Sequence, residues 1–178
     1  MKKLFIWIVV LATLAVGLKI AYNKILDRFF PLKFQAEITK YAEKEGLSKE
    51  LVMAVINTES GFDEKAHSGV AKGLMQITDE TALWICEKTG ETYYEDMAYD
   101  PETNIKMGCW YLGYLIKKYK NIDTALAAYN AGGGNVDSWL LDKRYSDDGK
   151  TLKKIPFGET EKYVSRIEWM KTVYEKAY

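Results

Sequence analysis

The sequence predicts an all-α domain of about seven helices, preceded by one long apolar helix at the N-terminus. Three observations carry this. Apolar residues beyond position 33 recur at intervals of three and four. No stretch sustains the two-residue alternation of a strand, and no turn of the Asn-Gly type joins β-branched runs. No repeat of about 20–50 residues stands out.

At the N-terminus, Lys2 and Lys3 precede an uncharged run from Leu4 to Leu18, and Ile20, Ala21 and Tyr22 extend it past Lys19. As a helix, Leu4 to Tyr22 measures roughly 28 Å, about the hydrocarbon thickness of a bilayer. Lys19 lies near its end, where the long stem reaches the headgroups. Two leading positives favour a cytoplasmic N-terminus, which sends the rest of the chain across the membrane. Residues 1–22 read as a single-pass signal-anchor in the cell membrane. A cleaved signal peptide, with a small-x-small site at Ala15-Val16-Gly17, is the alternative and leaves the domain secreted. Both readings export the remainder of the chain. Residues 23–33, with Pro31, read as a stalk, and 34–178 as the exported domain.

Phe34, Ile38, Tyr41 and Ala42 mark the first amphipathic face, closed by Gly46. Ser48 caps a second helix whose Leu51, Val52, Val55 and Ile56 face the core and whose end is Glu59. A loop with Gly61, Gly69 and Gly73 leads to Thr78, the cap of a helix through Leu83, Trp84 and Cys86 to Gly90. Ile105, Cys109, Leu112, Ile116 and Tyr119 mark the longest, central helix. Asp123 caps a short helix through Tyr129, which Gly132-Gly133-Gly134 ends, and Asn135 starts another through Trp139. A loop with Pro156 and Gly158 precedes a final helix from about Thr160, with Val164, Ile167 and Tyr174 on one face.

Charge and cysteine usage narrow the function classes. Lys plus Arg number 25 and Asp plus Glu 25, and a net charge of zero argues against a nucleic-acid binder. The balance hides a basic N-terminus: residues 1–30 carry a net +4 and residues 31–178 a net −4. Cys86 and Cys109 are too few for a disulfide scaffold and lack metal-ligand spacing. Export permits a disulfide between them, and their apolar helix faces equally suit buried free thiols. His67 has no partner histidine and reads as a solvated or capping side chain. No metal, nucleotide or other cofactor is indicated.

Three segments offer chemistry. Glu59 ends an apolar helix face, at the end of the macrodipole that disfavours a carboxylate and beside Val55 and Ile56. Both influences raise its pKa and suit a general acid, although a solvated carboxylate fits the same local pattern. Gly73-Leu74-Met75-Gln76 places an apolar pair and an amide before a helix, as packing before a cap also does. Ala127-Ala128-Tyr129-Asn130-Ala131-Gly132 puts a phenol and an amide at a helix end. These can hydrogen-bond sugar hydroxyls and N-acetyl groups, or simply cap the helix.

Taken together, six ordered segments resemble the soluble lytic transglycosylase family. They are Glu59-Ser60-Gly61-Phe62; Ala66-x-Ser68; Gly73 to Gln76; Asn104-Ile105 with Tyr111-Leu112; Ala127 to Gly132; and Ile155-Pro156-Phe157-Gly158-Glu159-Thr160 with Tyr163-Val164. The resemblance runs from about Phe34 to Val173. It implies the lysozyme-like catalytic domain shared with goose-type lysozyme and a peptidoglycan glycan strand as substrate. It implies cleavage of the β-1,4 bond between N-acetylmuramic acid and N-acetylglucosamine. By the same resemblance Glu59 is the catalytic acid and then base. Ser60, Met75, Gln76, Tyr129 and Asn130 line the sugar cleft, and Glu159 and Tyr163 belong to the motif that closes it. One departure stands out: the family usually has Ser-x-x-Gly-Ala-x-Gly before Leu-Met-Gln, whereas Ser68 to Gly73 is one residue shorter.

Ordinary glycosidases use two carboxylates. The matched motifs supply Glu59, with Glu159 in an architectural place and Asp63 and Glu64 in an exposed loop. A one-acid site works when the substrate's 2-acetamido group and C6 hydroxyl assist, giving 1,6-anhydromuramyl ends. A hydrolysing lysozyme on the same fold is the alternative, as is an inactive peptidoglycan-binding scaffold of an envelope machine. Partners expected are glycan strands, the membrane through the N-terminal helix, and proteins of such a machine.

Overall fold

The computed structural model describes residues 2–177, apart from the side chains of Val9 and Val10. The chain divides into two units, Met1–Lys33 and Phe34–Tyr178. In the first, α1 (Lys2–Phe29) is an unbroken helix of 28 residues. It is long and apolar enough to cross a membrane, with a mean hydropathy of 2.4 over 18 residues and exposed apolar side chains that include Leu4, Trp7, Leu11, Leu14, Leu18 and Ile20. The stretch read as a stalk is helical as far as Phe29, because nothing between Asn23 and Phe29 interrupts a helix and the first proline stands at position 31.

The second unit is helical, as the periodicity predicts. Its elements are α2 (Gln35–Glu45), α3 (Lys49–Ser60), α4 (Asp79–Thr89), α5 (Pro101–Tyr119), α6 (Ile122–Ala131), α7 (Gly133–Leu140) and α8 (Gly158–Ala177), with a 3-10 turn over Met97–Tyr99. Strands β1 (His67–Ser68), β2 (Ala71–Lys72) and β3 (Ile77–Thr78) form a small antiparallel sheet in the order β1-β2-β3. Two residues are too few to show alternation, so these strands leave no trace in the hydrophobic pattern.

The capping residues explain most boundaries. Ser48, Thr78 and Asp100 accept from the backbone N–H groups of Leu51, Thr81 and Thr103, and each opens its helix. The cap of α6 is Asn121, not Asp123: its Oδ1 accepts from Thr124 N at 2.9 Å, and Asp123 falls in the first turn. Only Gly132 ends α6; Gly133 and Gly134 begin α7, two residues before the expected start at Asn135. The last helix begins at Gly158 and, at 20 residues, exceeds the 19 of α5.

Helix α3 runs through the middle of the unit and is buried without interruption from Leu51 to Asn57. Helix α8 packs along it, and Asn57 Nδ2 donates to the Tyr174 hydroxyl at 2.9 Å within that contact. Helix α5 lies between α2 and α6. Cys86 and Cys109 are both buried and both free, which decides between the two readings of the cysteines. Burial pushes the Cys109 thiol up to about 12, an inert, hydrocarbon-like state.

Candidate active site

Glu59 stands in the last turn of α3, and the next residue but one, Gly61, ends the helix. Phe62 comes next in the left-handed region (φ 65°) with only 1% of its surface exposed, so its buried ring pins the departing loop. The half-buried Glu59 carboxyl accepts a hydrogen bond of 2.6 Å at Oε1 from the Tyr163 hydroxyl of α8. Burial pushes its pKa up to about 7, against the downward pull of that bond. Tyr163 and Tyr129 are raised well above the usual phenol range, by burial first and by the Glu59 charge second. Both phenols therefore stay protonated and act as donors. The arrangement keeps one carboxyl able to give and take a proton near neutrality.

The turn from Gly73 to Gln76 faces this helix end. Ser60 Oγ donates to Leu74 O at 2.8 Å, and the Tyr129 hydroxyl donates to Met75 O at 2.9 Å. Gly73 is required here: its φ is +73°, and a Cβ would meet Ala98 O and the Asn104 amide. Met75 is fully buried. Its side chain fills the space left by Gly108 of α5, where a Cβ would collide with its Sδ, so it supports the site from beneath and its backbone carbonyl holds Tyr129. Gln76 is engaged within the protein: Nε2 donates to Gly73 O at 2.9 Å and Ala66 O at 3.2 Å, and Oε1 accepts from Ser68 Oγ at 2.5 Å. It braces the β1–β2 hairpin to the turn.

Among the sequence candidates, Glu59, Ser60, Met75, Gln76, Tyr129 and Tyr163 are thus linked by contacts around one helix end. Asn130 and Glu159 are both exposed. Asn130 Oδ1 accepts from Thr160 Oγ1 at 2.7 Å, fastening the end of α6 to the start of α8, and Glu159 is the exposed neighbour of Thr160. His67 is an exposed strand residue whose Nδ1 lies 3.1 Å from the Tyr99 hydroxyl. Among the described residues no group of three or more His, Cys, Asp or Glu is placed to hold a metal ion.

An aromatic groove went unread in the sequence. Trp84 of α4 meets Trp110, Tyr111 and Tyr114 of α5 at ring separations of 5.6, 6.0 and 5.1 Å. Trp84, Tyr111, Tyr114, Gly133 and Asp137 line an open groove of about 400 Å³. The Tyr111 ring lies 5.3 Å from that of Tyr129, so the groove reaches the Glu59 region through one shared wall. The i, i+1 and i+4 spacing of the three aromatics on α5 was the available signal.

Residues 36–152 match the family model described as "Transglycosylase SLT domain". The soluble lytic murein transglycosylase of Salmonella typhimurium is 35% identical over 147 residues, covering 80% of this chain and 23% of that protein. A protein named membrane-bound lytic murein transglycosylase F, from Desulfosudis oleivorans, is 39% identical over 120 residues, 62% of this chain and 23% of its own. Among solved structures, lytic transglycosylase Slt of Pseudomonas aeruginosa, an inactive mutant, superposes with a TM-score of 0.76 at 34% identity, over 85% of this chain and 25% of that one. The chain spans about a quarter of the length of these relatives.

Proposed function

The chain belongs to the transglycosylase SLT domain family, and on that premise we propose that it is a peptidoglycan lytic transglycosylase. The reaction is cleavage of the β-1,4 bond between N-acetylmuramic acid and N-acetylglucosamine with formation of a 1,6-anhydromuramyl end. The observation that carries the proposal is the half-buried Glu59 carboxyl, raised to about 7 and held by Tyr163. In the first step Glu59 gives its proton to the glycosidic oxygen and the C1–O bond breaks. The 2-acetamido group of the muramyl residue shares the positive charge left at C1. In the second, the Glu59 carboxylate takes the proton of the muramyl C6 hydroxyl as that oxygen bonds to C1. Glu59 ends as it began, and no water is consumed.

This route asks for one carboxyl with a pKa near the working pH. Burial and the Tyr163 hydroxyl are the influences on Glu59, whereas a partner carboxylate at the ~5–5.5 Å of a retaining glycosidase would add like-charge repulsion. The tethered C6 hydroxyl has an effective molarity of up to ~10⁵–10⁸ M when aligned, which outcompetes water. The groove of Trp84, Tyr111 and Tyr114 suits the apolar faces of successive sugars. Asn130 and Glu159 supply exposed polar groups where α6 ends and α8 begins, and Ser60 and Gln76 hold the turn beside Glu59.

Residues 1–22 then hold the catalytic domain, 34–178, on the extracytoplasmic side of the cell membrane, with 23–33 as the joining segment. Digestion of purified peptidoglycan by the detergent-solubilised full chain, followed by mass spectrometry, tests the chemistry. Muropeptides with anhydromuramyl ends are expected. Products heavier by one water overturn the transglycosylase reading in favour of a lysozyme, and no release at all favours a binding module.

A further inference from the structure

We propose that Asn104 is the positioning residue of this site: its buried side-chain amide fixes the Gly73–Gln76 turn and, through Met75, sets where Tyr129 stands beside Glu59. The inference rests on the proposed role of Glu59 and assigns Asn104 no contact with substrate.

Asn104 lies on the first turns of α5 with none of its surface exposed. Its Oδ1 accepts from Met75 N at 2.7 Å, and its Nδ2 donates to Lys72 O at 2.9 Å and Ala98 O at 2.6 Å. Only a primary amide offers one acceptor and two donors from a single planar group. An aspartate would set a carboxylate against two carbonyls, and a leucine would leave three buried backbone groups unpaired. The longer glutamine has no room, because the turn passes so close that a Cβ on Gly73 would lie 2.5 Å from Asn104 Nδ2.

The three bonds gather separate pieces of chain. Lys72 belongs to β2, and its ammonium group bridges Asp79 at 2.8 Å and Asp96 at 2.9 Å. Ala98 belongs to the 3-10 turn, and Met75 to the turn itself. From Met75 the connection goes on through its carbonyl to the Tyr129 hydroxyl, and from Leu74 to Ser60, the neighbour of Glu59. The shortened segment before Gly73 thus has its fixed point at Asn104. Loosening it frees the Tyr129 ring and admits water to the carboxyl.

The test is the titration of the Glu59 carboxyl, monitored by carbon-13 NMR on the detergent-solubilised full chain and assigned by its loss in Glu59→Gln. Asn104→Ala is expected to lower the midpoint by about one unit toward the ordinary carboxylate value, as desolvation is relieved. On peptidoglycan it should lower kcat about tenfold with KM within about twofold, as misplacement rather than lost binding does. Thr124→Val is the control, since Thr124 is equally buried and bonds Leu152 N away from the turn. It should lower the melting temperature and leave the midpoint alone. A folded Asn104→Ala with an unmoved midpoint overturns the proposal, as does an equal shift in Thr124→Val. Tyr129→Phe cuts the connection at its far end; should Asn104→Ala not fold, a lowered midpoint in Tyr129→Phe supports the proposal and an unmoved one overturns it. A wild-type chain whose Glu59 titrates near neutrality yet releases no muropeptides sinks the catalytic reading and leaves the role of Asn104 in place.

Discussion

The Tyr163 hydroxyl donates to Glu59 Oε1 at 2.6 Å, joining residues 104 positions apart in the chain. The bond stabilises the carboxylate form and so lowers a pKa that burial raises. Tyr163→Phe removes the donor without opening a large cavity. The Glu59 midpoint is expected to move above 7, carrying the alkaline limb of kcat/KM with it, while kcat falls about tenfold or more as a charge-assisted bond is lost. A pH–rate profile of the variant checks both.

Glu59→Gln should keep the fold and cut turnover by at least ~10²–10⁴-fold, because in the proposed mechanism one residue serves as acid and base. Its stability also has a sign. The folded-state pKa of about 7 lies above the ordinary 4.5, so the folded state holds the proton more tightly. Ionising Glu59 therefore weakens the fold progressively from about pH 4.5 and fully above about pH 7. Glu59→Gln never ionises, so it should be the more stable protein above pH 7, by ~1–3 kcal/mol, with the gap closing at low pH. Denaturant unfolding of both proteins across that range gives the comparison.

Trp84→Ala removes one wall of the aromatic groove and leaves the contacts of Glu59 untouched. On polymeric glycan strands KM should rise about fivefold to tenfold with kcat within about twofold, in keeping with ~1 kcal/mol for one aromatic contact. A fall in kcat alone would place Trp84 in support of the fold instead.

Gly108→Ala puts a methyl group where the Met75 side chain lies. Overpacking of this kind costs ~1–3 kcal/mol, so the melting temperature should drop by several degrees. Gly134→Ala, at an exposed position with open space around the added carbon, is the matched control and should be mild.

Membrane-extracted protein is expected to retain its N-terminus, because the apolar run of α1 continues past Gly17 instead of giving way to polar residues. N-terminal sequencing decides. A mature chain beginning at Leu18 would replace the anchor by a cleaved signal and leave export unchanged.

Helix positions were legible because their information is local. Ser48, Thr78, Gly46 and Gly90 cap where their side chains or backbone freedom dictate, and the three-to-four periodicity identifies the buried faces. Asn121 was missed as a cap because Asp123, two residues on, has the same preference; only the Asn121 backbone, extended at φ −146°, takes the capping conformation. The site was legible as a set of motifs, but not the division of labour within it. Met75 and Gln76 read alike as cleft residues, yet one is buried against Gly108 and the other is satisfied by Ser68, Gly73 and Ala66. Those outcomes depend on which segments the fold brings together, and no local pattern encodes that. The Trp84 groove depends on how α4 meets α5, a packing that spacing along either helix leaves open.

Helix α8 has a further consequence for biogenesis. Glu59 is synthesised 104 residues ahead of Tyr163, which stands on the helix that packs along α3. Until α8 docks, Glu59 lacks both the Tyr163 hydroxyl and the part of its burial that α8 supplies. The pairing of α3 with α8 has high sequence separation and closes late, after the local helices have formed. A chain synthesised only as far as the residues before α8 therefore carries Glu59 without the hydroxyl that holds it. Under the proposed role of Glu59, docking of α8 is the step that arms the site.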